Sequence, residues 1–71
     1  SGVVVDSKKI SAVERLINEI DELPAKYQGI ETLFLSNNCI SSLRGLTQFP
    51  KLRVLSIGNN NVSNDDWMLM L

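Results

Sequence analysis

A chain of 71 residues with 44% hydrophobic residues and a net charge of −1 builds one small domain, and a globule of that size buries only roughly 60% of its unfolded surface. The single cysteine, Cys39, excludes an internal disulfide, and without histidine a zinc centre would have to be made from carboxylates and one thiolate. The near-neutral charge argues against nucleic-acid binding through phosphates, and no apolar run approaches the roughly 18 residues of a membrane span.

In chain order, Val3-Val4-Val5 reads as a short strand with no signal-peptide pattern before it. Val13, Leu16, Ile17, Ile20 and Leu23 then form an apolar stripe at helical spacing, with Glu14, Arg15, Glu19, Asp21 and Glu22 mostly on the other face. Ser11 can cap this segment, Glu14 can complete a capping box and Pro24 ends it, which predicts an α-helix over roughly 11–23. Leu33 and Leu35 stand two apart and predict a second short strand with both side chains on one face. Ile40, Leu43 and Leu46 follow at spacings of three, as a helical or 3-10 return requires. Pro50 stops that return and biases Phe49 towards an extended backbone. The last segment repeats the strand and turn through Val62. Asn64, Asp65 and Asp66 then offer an N-cap ahead of Trp67, which is either core or a lid over the last unit.

Sliding the chain against itself reveals a period. At a shift of 22, Ile30 falls on Leu52, Leu33 on Leu55, Leu35 on Ile57, Asn38 on Asn60, Ile40 on Val62, Leu46 on Met68 and Phe49 on Leu71; Leu43 alone meets a charge, Asp65. At a shift of 30 in the other direction, Val3, Val5, Ile10, Val13 and Leu16 fall on Leu33, Leu35, Ile40, Leu43 and Leu46, with Lys8 at the asparagine position.

The unit LxxLxLxxNxIxxLxxLxxFP resembles the leucine-rich repeat family. The 22-residue length is similar to its intracellular class, which includes the regulatory subunit of type-1 protein phosphatase and axonemal dynein light chains. The run "LSIGNNNVSNDDWMLML" is similar to the Asn-Asn, Val, Asp-Trp arrangement of the dynein light-chain members, with one additional residue between valine and tryptophan. The resemblance implies an α/β fold, a right-handed solenoid of about three coils. A short parallel sheet would lie on its concave face and helical or 3-10 segments on its convex face. The whole chain is then a single partial repeat domain: a degenerate unit over 1–29 carrying the longer helix, a consensus unit over 30–51 and a terminal or truncated unit over 52–71.

A chain that turns sharply after a three-residue strand leaves backbone groups without sheet partners, at ~1–3 kcal/mol for each one buried. An asparagine amide both donates and accepts, so Asn38 and Asn60 can serve these groups as a stacked ladder. Lys8 has donors only, which suits a terminal unit.

For chemistry the sequence offers little. Asp65 and Asp66 are neighbours at a helix start and read as a cap, and Cys39 occupies a variable turn position. The expectation is therefore a non-enzymatic protein with no cofactor and no metal. The outward strand positions Val4, Asp6, Thr32, Phe34, Ser36, Val54 and Ser56 form the expected partner surface, with Phe34 as the aromatic anchor beside Val4 and Val54. Glu31 and Arg53 are expected to pair across adjacent strands. The expected partner is a peptide or helix of another protein, in a cytoskeletal, centrosomal or scaffolding setting, cytoplasmic rather than nuclear, with no direct nucleic acid and no membrane. The alternative is self-association through the uncapped repeat ends, since an apolar Val3–Val5 edge invites strand pairing. A third reading is a subunit of an RNA-processing complex that acts through a protein partner.

Overall fold

The computed structural model describes residues 3–63. They form four strands: β1 (Val3–Val5), β2 (Lys9–Ala12), β3 (Thr32–Phe34) and β4 (Val54–Ser56). The sheet order is β1-β2-β3-β4. β1 runs antiparallel to β2, whereas β2, β3 and β4 are parallel. Two 3-10 turns, Ala25–Tyr27 and Arg44–Gln48, lie in the connections that return the chain from one parallel strand to the next. The fold is a small α/β arrangement whose helical part, among the described residues, is 3-10. Among the described residues no helix is long and apolar enough to cross a membrane.

One backbone carbonyl marks the start of each parallel step. Lys8 O accepts the N–H groups of Glu31 (2.8 Å) and Thr32 (3.0 Å), and Glu31 O accepts those of Arg53 (2.8 Å) and Val54 (2.9 Å). Lys8, Glu31 and Arg53 are therefore equivalent. The register, Ile10 beside Leu33 beside Leu55, makes the first step 23 residues and the second 22.

This register corrects the alignment of the first unit. The strand equivalent to Leu33–Leu35 is not Val3–Val5 but the stretch holding Ile10 and Ala12, and β1 folds back against it as a hairpin. Asp6 builds the turn: its Oδ1 accepts the N–H groups of Lys8 (2.9 Å) and Lys9 (2.8 Å), while its own N–H donates to Lys9 O (2.9 Å). An aspartate that bonds backbone N–H groups two and three residues on is a strong turn former.

The α-helix expected over 11–23 does not form. Ser11 lies within β2 instead of capping a helix, and Glu14 and Leu16 both adopt φ of 57°, which no right-handed helix admits. Leu16 is 79% exposed and Leu23 also lies at the surface, while Ile17 and Ile20 pack against the core at the same spacing as Ile40 and Leu43. The reason is competition for backbone groups. An isolated helix of about 13 residues is marginal in water, and here the next unit serves the same N–H and C=O groups directly. Asn38 Oδ1 accepts from Arg15 N–H (2.8 Å) and Ile17 N–H (3.1 Å), and Cys39 N–H donates to Ile17 O (2.9 Å). Further along, Gln48 Oε1 accepts from Leu23 N–H (2.8 Å) and its Nε2 donates to Asp21 O (2.9 Å).

The buried core consists of Ala12, Ile30, Leu33, Leu35, Ile40, Leu43, Leu46, Phe49 and Ile57. The second return supplies four of these, Ile40, Leu43, Leu46 and Phe49, at the spacing of three that its sequence shows. Gly45 sits where this return crosses the first one. A Cβ there would collide with the carbonyl oxygen and side chain of Ile20, so the close approach needs glycine. Phe49, before Pro50, has φ −109° and ψ 81°, outside the helical region.

Candidate functional site: the open face of the sheet

Alternation along each strand divides its residues between the core and the opposite face. Leu33 is buried whereas Thr32 and Phe34 are half-buried, so the latter two look away from the core. The register brings Lys9, Thr32 and Val54 into one row across the sheet and Val4, Ser11, Phe34 and Ser56 into the next. Ser36 lies just beyond β3, and its Oγ is 2.7 Å from Ser56 Oγ.

The structure inserts a strand among the three hydrophobes expected to lie close together. β2 intervenes between β1 and β3, so Ser11 stands between Val4 and Phe34, and Val54 belongs to the row of Thr32. Val4, 50% exposed, is therefore one strand removed from Phe34, whereas Val54, 48% exposed, is its diagonal neighbour on the adjacent strand. Beside Phe34 stands a cation: Lys9 Nζ lies 5.1 Å from the centre of its ring. An exposed contact of this kind contributes ~0.5–1 kcal/mol. The face is thus amphipathic, with one aromatic ring under an ammonium group, hydroxyls on Ser11, Thr32, Ser36 and Ser56, and a valine at each side.

Asp6, also expected on this face, has its carboxylate engaged by the backbone N–H groups of the hairpin turn. Lys9 and Ser11, which the alignment at a shift of 30 had assigned to a turn and a helix cap, are on the face. Glu31 pairs with Lys8 at 3.9 Å instead of with Arg53, an exposed contact of ~0–1 kcal/mol. The positions of Trp67 and the preceding cap residues lie outside the described residues.

Below the sheet edge two asparagine systems hold the turns. Asn38 Nδ2 donates to Ala12 O (2.9 Å), Leu35 O (2.9 Å) and Ser36 O (3.2 Å) while its Oδ1 serves the preceding unit. Asn60 repeats the pattern: Nδ2 donates to Leu35 O (2.9 Å), Ile57 O (2.9 Å) and Gly58 O (3.1 Å), and Oδ1 accepts from Ile40 N–H (2.9 Å). The equivalent position in the first unit, 23 residues before Asn38, is Arg15 and not Lys8. Asn37 and Asn59 were missed as a second pair. They adopt φ of 59° and 55°, and Asn59 Nδ2 donates to Asn37 Oδ1 at 2.8 Å. The doubled asparagine at a 22-residue interval was the readable signal, because asparagine tolerates the left-handed conformation that such a turn needs.

Among the described residues no group of three or more His, Cys, Asp or Glu side chains comes together to hold a metal ion. Cys39 is exposed. An apolar hollow of about 230 Å³ opens beneath the first return, with Ile10, Ala12, Ile17, Leu33, Leu35 and Phe49 among its walls.

Short parallel strands at steps of 23 and 22, joined by returns and pinned by stacked asparagines, define a repeat protein. A family model for leucine rich repeats (two copies) matches residues 28–67, more than half of the chain, and the chain belongs to the leucine-rich repeat family as a short array. It is 34% identical over 61 residues to dynein axonemal light chain 1 of Mus musculus, an alignment covering 83% of this chain and 32% of that protein. The Homo sapiens protein of the same name is 38% identical over 48 residues, 68% of this chain and 25% of the relative. The chain thus spans about a third or less of the length of these curated relatives. No solved structure matches at comparable significance.

Proposed function

We propose that this chain is a non-enzymatic protein-interaction module whose open sheet face holds a peptide or helix of a protein partner. In this reading its units stack as a right-handed solenoid of about three coils, a section of a repeat domain, with the open face concave and the 3-10 returns convex. The observation that carries it is the Lys9–Phe34 pair, a half-buried aromatic ring capped by an ammonium group and bordered by hydroxyls. Such a surface gives a partner apolar area in the middle and hydrogen-bond partners around it, the anatomy of a small protein interface. A cytoskeletal setting in the cytoplasm is proposed from the similarity to proteins named as axonemal dynein light chains.

Capture of partners from extract by the intact chain, compared with Phe34→Ala and Val54→Asp, tests the reading. Both variants keep the buried core, so circular dichroism should be unchanged while the specific partner is lost. An identical partner set from all three proteins would refute the assignment.

A further inference from the structure

The geometry points to a second association surface, independent of the open face: the outer edge of β1, which we propose pairs with the same edge of a second copy of this chain. The direction in which each backbone group points can be worked out along the hairpin. Glu14 N–H donates to Ser36 O and Thr32 N–H donates to Lys8 O, so even-numbered residues of this segment turn their backbone groups towards β3. Lys9 O, from the odd-numbered set, accepts from Asp6 N–H on the β1 side. Antiparallel pairs alternate between bonded and non-bonded. Following Asp6–Lys9, the Val5–Ile10 pair is non-bonded, Val4–Ser11 bonded and Val3–Ala12 non-bonded. The N–H and C=O groups of Val3 and Val5 therefore point away from β2, towards the edge that is open among the described residues.

Two such edges are complementary to each other. With a two-fold axis through Val4, Val3 of one copy faces Val5 of the other, and these are the residues whose groups point outward. Each Val3–Val5 pair can exchange two hydrogen bonds, and the axis repeats the pair, so the contact closes on itself as an isologous dimer. The β1 residues are all valine, so no charge opposes another across the axis, and a net charge of −1 gives two copies little reason to repel. The edge also lacks the devices that normally keep strands apart, since it holds no lysine, proline or bulge and its valines are 48%, 50% and 49% exposed. The product is a continuous eight-stranded sheet, four strands from each copy.

Sedimentation of the intact chain from micromolar to millimolar concentration tests this, together with Val5→Pro. That change removes an outward N–H and leaves the bonds between β1 and β2 in place. We expect a concentration-dependent dimer that weakens at least tenfold in Val5→Pro and is unchanged in Phe34→Ala, which separates this surface from the open face. Cysteine placement gives a readout that does not depend on the proline variant folding. Residues facing each other at a non-bonded pair lie about 4.5 Å apart at Cα, within disulfide range. In a Cys39→Ser background, Val4→Cys should oxidise to a covalent dimer, whereas Val3→Cys and Val5→Cys, which do not face themselves, should not. A chain monomeric at millimolar concentration, a dimer undiminished in folded Val5→Pro, or equal cross-linking at all three positions would overturn the proposal.

Discussion

The side-chain carbonyl of Asn38 accepts the backbone N–H of Arg15 at 2.8 Å across 23 positions of sequence, while its amide bonds the carbonyls of Ala12, Leu35 and Ser36. One buried side chain thus completes the turn of its own unit and of the unit before it. Asn38→Ala orphans donors and acceptors on both sides, at ~1–3 kcal/mol for each group left buried. Urea unfolding should show a loss of about 3 kcal/mol or more. Asn60→Ala, at a less buried rung, should lose less; equal effects would contradict the graded burial of the two rungs.

Gly45 and Gly58 form a matched pair of tests. A Cβ at Gly45 runs into Ile20, including its backbone oxygen, whereas a Cβ at Gly58 meets nothing within 4 Å. Gly45→Ala should destabilise by ~1–3 kcal/mol, as overpacking does. Gly58→Ala should be neutral or slightly stabilising through the unfolded state. Thermal melts of the two variants are the comparison.

Leu16 combines 79% exposure with φ of 57°. Leucine in the left-handed region carries a cost of ~1–2 kcal/mol that asparagine largely avoids. Leu16→Asn should therefore stabilise the fold by about 1 kcal/mol, or roughly 4–8 °C in Tm for a domain of this size. A lower Tm would mean that the exposed side chain makes a contact worth more than the strain.

Gln48 staples the irregular segment at Asp21–Leu23 from the following unit. In Gln48→Ala the Leu23 amide should lose its protection in hydrogen exchange. The amides of Arg15 and Ile17, held by Asn38, should keep theirs. Loss at all three sites would mean that the first return opens as one unit.

The parallel pairing of the Leu33 and Leu55 strands, the apolar return through Ile40, Leu43 and Leu46, and the family were legible in the sequence, because the consensus unit states its period in leucines. The first unit was not. It places Ala12 where the others have leucine or isoleucine, and Arg15 where they have asparagine, so a shift of 30 matched more conspicuous residues than the true 23. The same misreading turned Val13–Leu23 into an α-helix. Local spacing permits one, but the amides of Asn38 and Gln48, distant in sequence, claim the backbone groups that a helix would use. At the site, Phe34 was found from the period of two. Lys9 was missed because it became visible only when β2 was placed beside β3.

The paired acceptance by Lys8 O and Glu31 O acts as a phase marker for the chain. Whatever number of residues the preceding return has used, the count restarts at that carbonyl. The extra residue of the first step is accordingly taken up between Leu23 and Ile30, where the second step runs from Leu46 to Leu52, and the strands never register it. Return length can therefore drift from unit to unit without changing which side chains face the core. The strand and asparagine turn have no such freedom, since a slip of one residue there would exchange the two faces of the sheet.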